Sequence, residues 1–201
     1  MNTNQLRRIL LATAMAGIRS SLLLTANEQL RSTEPPTQRV VNIYLENIPI
    51  VTVPLTIERA KAITTHIFSA IGVKPIWVGL HDEYRASRDG TIIVKFSTAT
   101  PTDFRPLAVA QAFPYQGTRI QVFYDRLRER VTPDMVPTLL GYVLAHEIAH
   151  VLEGMDVHSD KGIMKARWEL SDYDQMARER LTFTDRDIRF IYAGLDARSK
   201  R

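Results

Sequence analysis

The sequence predicts an α+β fold built from a mixed, twisted sheet, a long internal helix and a helical C-terminal part. Three observations lead to this class. Segments rich in β-branched residues are concentrated between positions 40 and 125. One helical pattern interrupts them, and a longer one follows at residues 134–153. A helical tail comes last, and this order of strands and helices is typical of α+β domains.

The composition is that of an ordinary soluble domain. The chain has 201 residues, of which 45% are hydrophobic and 24% are charged, enough for one domain with a sizeable core. Its net charge is +4, but Lys and Arg form no dense run, so no nucleic-acid partner is expected. The absence of cysteine excludes disulfides, a cysteine-based metal site and a thiol nucleophile.

The N-terminal part is set apart by a polar linker. Residues 31–38 carry two prolines, so we divide the chain into an N-terminal segment, residues 1–36, and a domain, residues 37–201. Arg7 and Arg8 precede a short apolar run, which resembles a signal peptide and predicts export to the periplasm or the exterior. The run is too short to span a membrane. An amphipathic helix on the domain surface is the alternative.

The strands and the first helix follow from local patterns. Thr56 can cap a helix that runs to about Ile71, where Gly72 ends it. Segments with β-branched or alternating character are predicted as strands at 40–55 (one strand or a hairpin), 75–80, 91–97, 107–113 and 118–125.

A long helix is predicted from Asp134 to about Glu153. Asp134 suits the N-cap, Pro137 falls in the first turn, and Gly154 provides a left-handed stop. Farther along, residues 181–195 hold a C-terminal helix with Thr184 as its N-cap. Apolar residues on the long helix can anchor it in the core: Leu140, Leu144, Ile148, Val151 and Met155.

The segment HEIAH, residues 146–150, lies on the long helix and has the residue types of a zinc site. His146 and His150 are one turn apart on the same helix face, so both imidazoles can bind one Zn²⁺. Glu147 lies beside that face, where its carboxylate can hold and deprotonate a water on the metal. The alternative is a polar helix face whose two histidines are hydrogen-bonded elsewhere.

The third protein ligand is open among four residues: Glu153, Asp156, His158 and Asp160. Glu153 would place three ligands in a line along one helix, and such a line cannot easily surround an ion tetrahedrally. A chain reversal after Gly154 brings a ligand from another direction, which favours the later three. Histidine is also the commonest metal ligand among side chains.

The segment from His146 to Met164 resembles the metzincin clan of zinc peptidases. The pattern of that clan is HExxHxxGxxH followed by a turn that carries methionine. His146, Glu147 and His150 match directly, and Gly-Ile-Met at 162–164 matches the methionine turn. The resemblance implies that Met164 packs beneath the metal.

The spacing after the second histidine departs from the clan's pattern. Gly154 stands one place late and His158 two places late, while Asp156 occupies the third-ligand position by strict count. Some metzincins use aspartate at that position. Because His158 lies shortly before Met164, the resemblance implies His158 as the third ligand, carried on a slightly longer loop.

Residues 107–125 show a second resemblance to that clan. In metzincins an edge strand with small residues precedes a Phe-Pro turn and a core strand, and it pairs with extended substrate above the metal. The resemblance implies a substrate-binding strand in which Val109, Ala110, Gln111 and Ala112 offer backbone groups. The alternative is an ordinary buried strand.

A narrower likeness covers most of residues 40–198. It is to small, mostly exported bacterial proteins assigned to the zinc metallopeptidases without a known substrate. The shared segments include IFSAIGVKPIWV, VFYDRL, LLGYVLAHEIAHVLEG, HSDKGIMKARW and LTFT. This likeness implies His158 as a ligand and export of the protein, and it implies no particular substrate.

These observations predict a zinc-dependent endopeptidase with Zn²⁺ as its cofactor and Glu147 as general base. We expect a peptide or protein substrate, no stable membrane span and a monomer. One alternative is a non-catalytic, zinc-stabilised protein-binding module, against which the intact Glu147 argues. The other is an intracellular zinc protease acting on proteins bound to nucleic acid, against which the scattered charge and the apolar N-terminus argue.

A few other residues have weaker signals. Trp168 can wall a substrate pocket or simply pack, and either Tyr142 or Tyr173 can stabilise an oxyanion. His66 is expected to be a surface or core histidine, and the His-Asp pair at 81–82 is expected in a loop.

Overall fold

A mixed sheet of five strands is the framework of the domain. The computed structural model describes residues 38–49, 54–79, 90–103, 105, 107–116 and 118–200. Its strands are β1 Arg39–Glu46, β2 Val73–Val78, β3 Ile92–Ser97, β4 Ala110–Phe113 and β5 Arg119–Phe123. Their order across the sheet is β2-β1-β3-β5-β4. The β4–β5 pair is antiparallel and the other pairs are parallel, so the predicted α+β class with a mixed sheet is confirmed.

Five helices accompany the sheet in the described part of the chain. They are α1 Pro54–Ser69, α2 Tyr124–Arg130, α3 Val136–Glu153, α4 Leu170–Ala177 and α5 Asp185–Arg198. A 3₁₀ turn, Pro114–Gln116, separates β4 from β5. Among the helices so described, none combines the length and the hydropathy needed to cross a bilayer.

The sheet buries one face because its strands alternate. In β1, Val41, Ile43 and Leu45 are buried, while Val40 and Asn42, which alternate with them, are exposed. The same alternation gives β3 its three buried residues, Ile92, Val94 and Phe96. These side chains join apolar residues of α1 and α3 in one core cluster.

Close contacts at two glycines hold α3 in the centre of the core. A Cβ at Gly141 would lie 2.8 Å from Cβ of Ile63 on α1. A Cβ at Gly194 on α5 would lie 1.7 Å from the carbonyl oxygen of Leu152. Every residue of α3 from position 138 to 152 is buried, so the histidines of α3 are carried by a helix that is packed on all sides.

The structure corrects the start of two predicted helices. α1 begins at Pro54, because proline suits the first position of a helix. Thr56 therefore lies inside the helix and does not cap it. The first predicted strand, residues 40–55, wrongly included the first two residues of this helix. α3 begins at Val136 with Met135 at the N-cap and no side-chain cap, so the prediction that Asp134 caps this helix is also wrong.

The last predicted strand ends two residues early, because Tyr124 and Asp125 begin α2. The sequence pattern does not predict this short helix.

Two predicted helix ends are confirmed. Gly154 ends α3 with a φ of 69°, and Thr184 caps α5 by accepting a hydrogen bond from the backbone N–H of Asp187.

Several predictions fall outside the described residues. They concern the N-terminal segment, residues 50–53 of the first predicted strand, and the His-Asp pair at 81–82.

Candidate metal centre

Three imidazoles meet where α3 ends. His146 and His150 come from α3, and His158 comes from the segment that follows it. Nε2 of His150 lies 3.0 Å from Nε2 of His146 and 3.3 Å from Nε2 of His158. The ligand nitrogens of all three lie within 4.8 Å of one another. The three acidic candidates for the third ligand are not in this group: Glu153, Asp156 and Asp160.

Backbone carbonyls orient the two histidines of α3. Nδ1 of His146 lies 2.7 Å from the Ile163 carbonyl oxygen, and Nδ1 of His150 lies 3.1 Å from that of Met155. A carbonyl oxygen can only accept, so each Nδ1 carries the donated hydrogen and each Nε2 keeps a lone pair.

The electrostatics of the site keep these two rings neutral. Burial, followed by the neighbouring His150, lowers the pKa of His146 to about 3. Burial, followed by His158, lowers the pKa of His150 to about 4. Both rings are therefore neutral near pH 7, and the neutral imidazole is the form that binds a metal.

The separations of the ring nitrogens fit Zn²⁺. Tetrahedral zinc with Zn–N bonds near 2.05 Å holds its ligand nitrogens about 3.3 Å apart. The two separations from His150, 3.0 and 3.3 Å, are close to this value, and the separation between His146 and His158 is at most 4.8 Å. Two nitrogen lone pairs at such a distance repel each other unless a cation lies between them. The three histidines are thus suited to Zn²⁺, and a set of three protein ligands leaves one coordination position open.

Hydrogen bonds hold the loop that carries His158. The Ser159 N–H donates to the Met164 carbonyl oxygen at 2.8 Å, and the Ile163 N–H donates to that of Thr182 at 3.0 Å. The Ser159 hydroxyl donates to Asp187 at 2.5 Å. The side chain of Met164 is buried in the core. The exposed His158 therefore stands on a loop that is fixed at both ends.

Glu147 is a buried carboxyl group beside the histidines. It is only 8% exposed, and burial raises its pKa to about 8. A hydrogen bond from the Ala112 backbone on β4 opposes the rise, the charge of Asp156 adds to it, and the charge of Arg105 opposes it. A carboxyl group with this pKa can take up and release a proton near neutral pH.

A cleft of about 530 Å³ opens in front of the histidines. Trp168 lines it and packs edge-on against His146, with ring centroids 5.5 Å apart. Tyr173 also lines the cleft. Tyr142 is fully buried, and burial followed by the charge of Glu179 raises its pKa to about 12. Of the two tyrosines singled out in the sequence, Tyr173 is therefore the one at the site.

The edge strand β4 forms part of the cleft wall. Its residues 110–112 line the cleft together with Val109. The Phe123 N–H donates to the Val109 carbonyl oxygen at 2.9 Å, so Val109 and Gln111 direct their backbone groups toward β5. By the same alternation, Ala110 and Ala112 direct theirs away from β5. One of these groups, the Ala112 N–H, bonds to Glu147.

Several contacts of the site have no signal in the sequence. The carbonyl groups of Ile163 and Met155 and the N–H of Ala112 are backbone groups, which every non-proline residue carries. Asp187 can be read from the sequence as part of a helix cap, but its bond to Ser159 joins positions 28 residues apart. His66 lies exposed on α1, outside the histidine group.

The fold is similar to that of an archaemetzincin from Methanopyrus kandleri. The TM-score is 0.52 at 14% sequence identity, and the match covers 81% of this chain and 99% of that one. A zinc-dependent peptidase from Methanocorpusculum labreanum also matches, with a TM-score of 0.46 at 17% identity, covering 75% of this chain and 99% of that one. No protein-family model and no curated protein matches the sequence. The chain thus has an archaemetzincin-like fold, and this likeness concerns the fold alone.

Proposed function

We propose that the protein is a zinc-dependent endopeptidase. His146, His150 and His158 hold Zn²⁺, and Glu147 is the general base. One observation carries the proposal: a buried carboxyl group lies beside three clustered imidazoles, in a cleft bordered by a strand edge. The name of the Methanopyrus protein with the same fold, an archaemetzincin, agrees with the proposal.

The residues of the cleft have the groups that peptide hydrolysis requires. Bound Zn²⁺ supplies Lewis acidity, which activates a water molecule and polarises the substrate carbonyl. The Glu147 carboxylate takes the proton of the attacking water and then passes it to the departing amine. Burial supports both steps because it increases the affinity of this carboxylate for a proton. In this proposal Tyr173, which lines the same cleft, donates a hydrogen bond to the oxygen of the attacked carbonyl.

We assign residues 162–165 as the methionine turn of a metzincin-like site. Two observations support this. The Lys165 N–H donates to the Gly162 carbonyl oxygen at 3.3 Å, which closes the turn. Within it, the Ile163 carbonyl orients His146 while the Met164 side chain is buried in the core. In this proposal Met164 packs beneath the metal.

We also propose that extended substrate pairs with β4. An edge strand has unpaired backbone groups that can bind another chain. On β4 these belong to Ala110 and Ala112, because Val109 and Gln111 face β5. The Ala112 N–H is bonded to Glu147. The backbone groups that remain for pairing with substrate are therefore the N–H and carbonyl of Ala110 and the carbonyl of Ala112.

The test compares the full chain with its Glu147→Gln variant, with the exposed Glu129→Gln on α2 as control. Zinc content and hydrolysis of casein are measured on all three. The expected result is about one zinc per chain in each, with hydrolysis abolished in Glu147→Gln alone. Hydrolysis retained by Glu147→Gln would refute the role of this residue. A wild type that binds zinc tightly and cleaves nothing would favour the protein-binding module.

Two properties predicted from the sequence stay predictions. Export is tested by fractionating cells that express the full chain, and removal of part of residues 1–36 would support it. The monomeric state is tested by light scattering during gel filtration. A dimer in solution would overturn the expectation of a monomer.

A further inference from the structure

The cleft around the histidines is rich in positive charge. Four cationic side chains line it: Arg105, Arg130, Lys165 and Arg167. The acidic side chains among its described lining residues are Glu147 and Asp156. The cations thus outnumber the acids, although the chain as a whole carries only a small net charge of +4.

Two of the four cations are already engaged. Lys165 pairs with Asp172 at 2.8 Å and with Glu169 at 3.2 Å. Arg130 donates a hydrogen bond to the Leu107 carbonyl oxygen. Arg105 and Arg167 are exposed, and no ion pair involves either of them among the described residues. These two guanidinium groups are therefore available to a ligand.

Arg105 stands on a segment that is held in place. Nη1 of Arg126 donates to the carbonyl oxygens of Arg105 at 2.8 Å and Ala108 at 3.3 Å, and Nη2 donates to that of Pro101 at 2.7 Å. The hydrogen bond from Arg130 adds a fourth anchor to the same segment. Arg105 and Glu147 line the same cleft.

Arg167 comes from a different part of the chain. It lies between the turn that orients His146 and Trp168, which packs against the His146 ring. The two available guanidinium groups therefore approach the cleft from two separate segments, one before β4 and one after the turn at residues 162–165.

We propose that the cleft selects peptides that carry Asp or Glu close to the cleaved bond, with Arg105 and Arg167 as the residues that determine this specificity. The inference rests on the peptidase function proposed above. A guanidinium group matches a carboxylate with two parallel hydrogen bonds. The same charges repel Lys and Arg side chains of competing peptides. The strand edge at β4 favours a peptide over a nucleic acid, because the repeat of its backbone N–H and C=O groups matches that of an extended polypeptide.

The first experiment uses three peptides that differ only beside the cleaved bond, with Glu, Gln or Lys at the flanking positions. The ratio of kcat/KM for the Glu peptide to that for the Gln peptide is measured with the zinc-loaded full chain at low and high salt. We expect a ratio of roughly ten or more at low salt, the Lys peptide to be cleaved most slowly, and the ratio to fall at high salt. Equal cleavage of the three peptides would overturn the inference.

The second experiment assigns the preference to the two arginines. The Arg105→Glu/Arg167→Glu double variant should reverse it, so that the Lys peptide becomes the best substrate. Any effect of Arg105 on Glu147 is common to all peptides and cancels in the ratio. Arg128→Glu makes the same kind of charge change at an exposed position on α2 outside the cleft, and it should leave the ratio unchanged. If Arg128→Glu lowered the ratio as much as the double variant does, overall charge would be the cause and the assignment would be wrong.

Binding to the Glu147→Gln variant separates this inference from the proposed function. Labelled peptides are titrated with that variant, and fluorescence anisotropy reports Kd. Tighter binding of the Glu peptide, together with no cleavage by the wild type, would refute the peptidase function and support the recognition of acidic side chains. Cleavage of all peptides at one rate would support the peptidase function and refute the recognition of acidic side chains. A single-stranded oligonucleotide that displaced the Glu peptide and bound more tightly than it would overturn the choice of a peptide ligand.

Discussion

The hydroxyl of Ser159 donates a hydrogen bond of 2.5 Å to Oδ1 of Asp187. Ser159 directly follows His158, and Asp187 lies in the first turn of α5. Oδ2 of the same aspartate accepts a bond from the Thr184 N–H at 2.8 Å. One buried carboxylate therefore ties the start of the C-terminal helix to the loop that presents the third histidine.

Ser159→Ala should weaken zinc binding by about tenfold, because the loop carrying His158 loses its bond to α5. Zinc affinity is measured by competition with a chromophoric chelator. Ser199→Ala is the matched control, since that hydroxyl bonds to the Asp196 carbonyl at the exposed end of α5. An unchanged zinc affinity in Ser159→Ala would show that the loop holds its position without this bond.

His158→Ala should weaken zinc binding by more than about 100-fold, because it removes one of three imidazole ligands. The stability of the metal-free chain should change little, since the His158 side chain is exposed. His66→Ala, at an exposed position of α1, should alter neither quantity. Retention of zinc by His158→Ala would move the third ligand to Asp156 or one of the other acidic candidates.

Gly194→Ala should destabilise the domain by about 3 kcal/mol, the upper end of typical overpacking costs. The added Cβ would lie 1.7 Å from the Leu152 carbonyl oxygen, so α5 must move away from α3. Gly79→Ala is the control, because a Cβ there meets nothing within 4 Å. Urea unfolding of both variants measures the difference, and equal stabilities would contradict the close packing of the two helices.

Glu153→Gln should make the metal-free domain more stable at high pH. Burial, reinforced by the charge of Asp187 and opposed by that of Arg186, raises the pKa of Glu153 from 4.5 to about 8. The folded chain therefore binds this proton more tightly than the unfolded chain does. The resulting stability is complete below about pH 4.5 and is lost as the pH rises through 8. Glutamine keeps the shape without a titrating proton and should avoid that loss.

The advantage of Glu153→Gln should grow from pH 5 to pH 9 and reach about 1–2 kcal/mol. This figure is below the full value of the pKa shift because solvent screens part of the side chain. Urea unfolding at several pH values measures it, with the exposed Glu129→Gln as control. A constant difference across this range would be inconsistent with a buried, protonated Glu153. The variant should also keep its zinc, because Glu153 lies outside the histidine group.

Much of the fold could be predicted because local patterns coincide with the tertiary packing. The alternation in β1 and β3 matches their buried faces, and Gly154 and Thr184 act locally at helix ends. The helix α2 could not be predicted in this way. Its seven residues are mostly charged, and two of its arginines bond to carbonyl groups of the segment before β4. Such a helix depends on a partner that is distant in sequence.

The sequence by itself determined which residues of α3 can bind a metal and move a proton. Helical spacing alone puts His146 and His150 on one face with Glu147 beside them, whatever the rest of the fold does. Only the tertiary structure decided that His158, rather than an acidic neighbour, meets them, and that Arg105 and Arg167 share their cleft. The reason is physical: these contacts depend on how a loop returns to a helix, and that path is set by hydrogen bonds to α5 and to backbone groups which no residue pattern reveals.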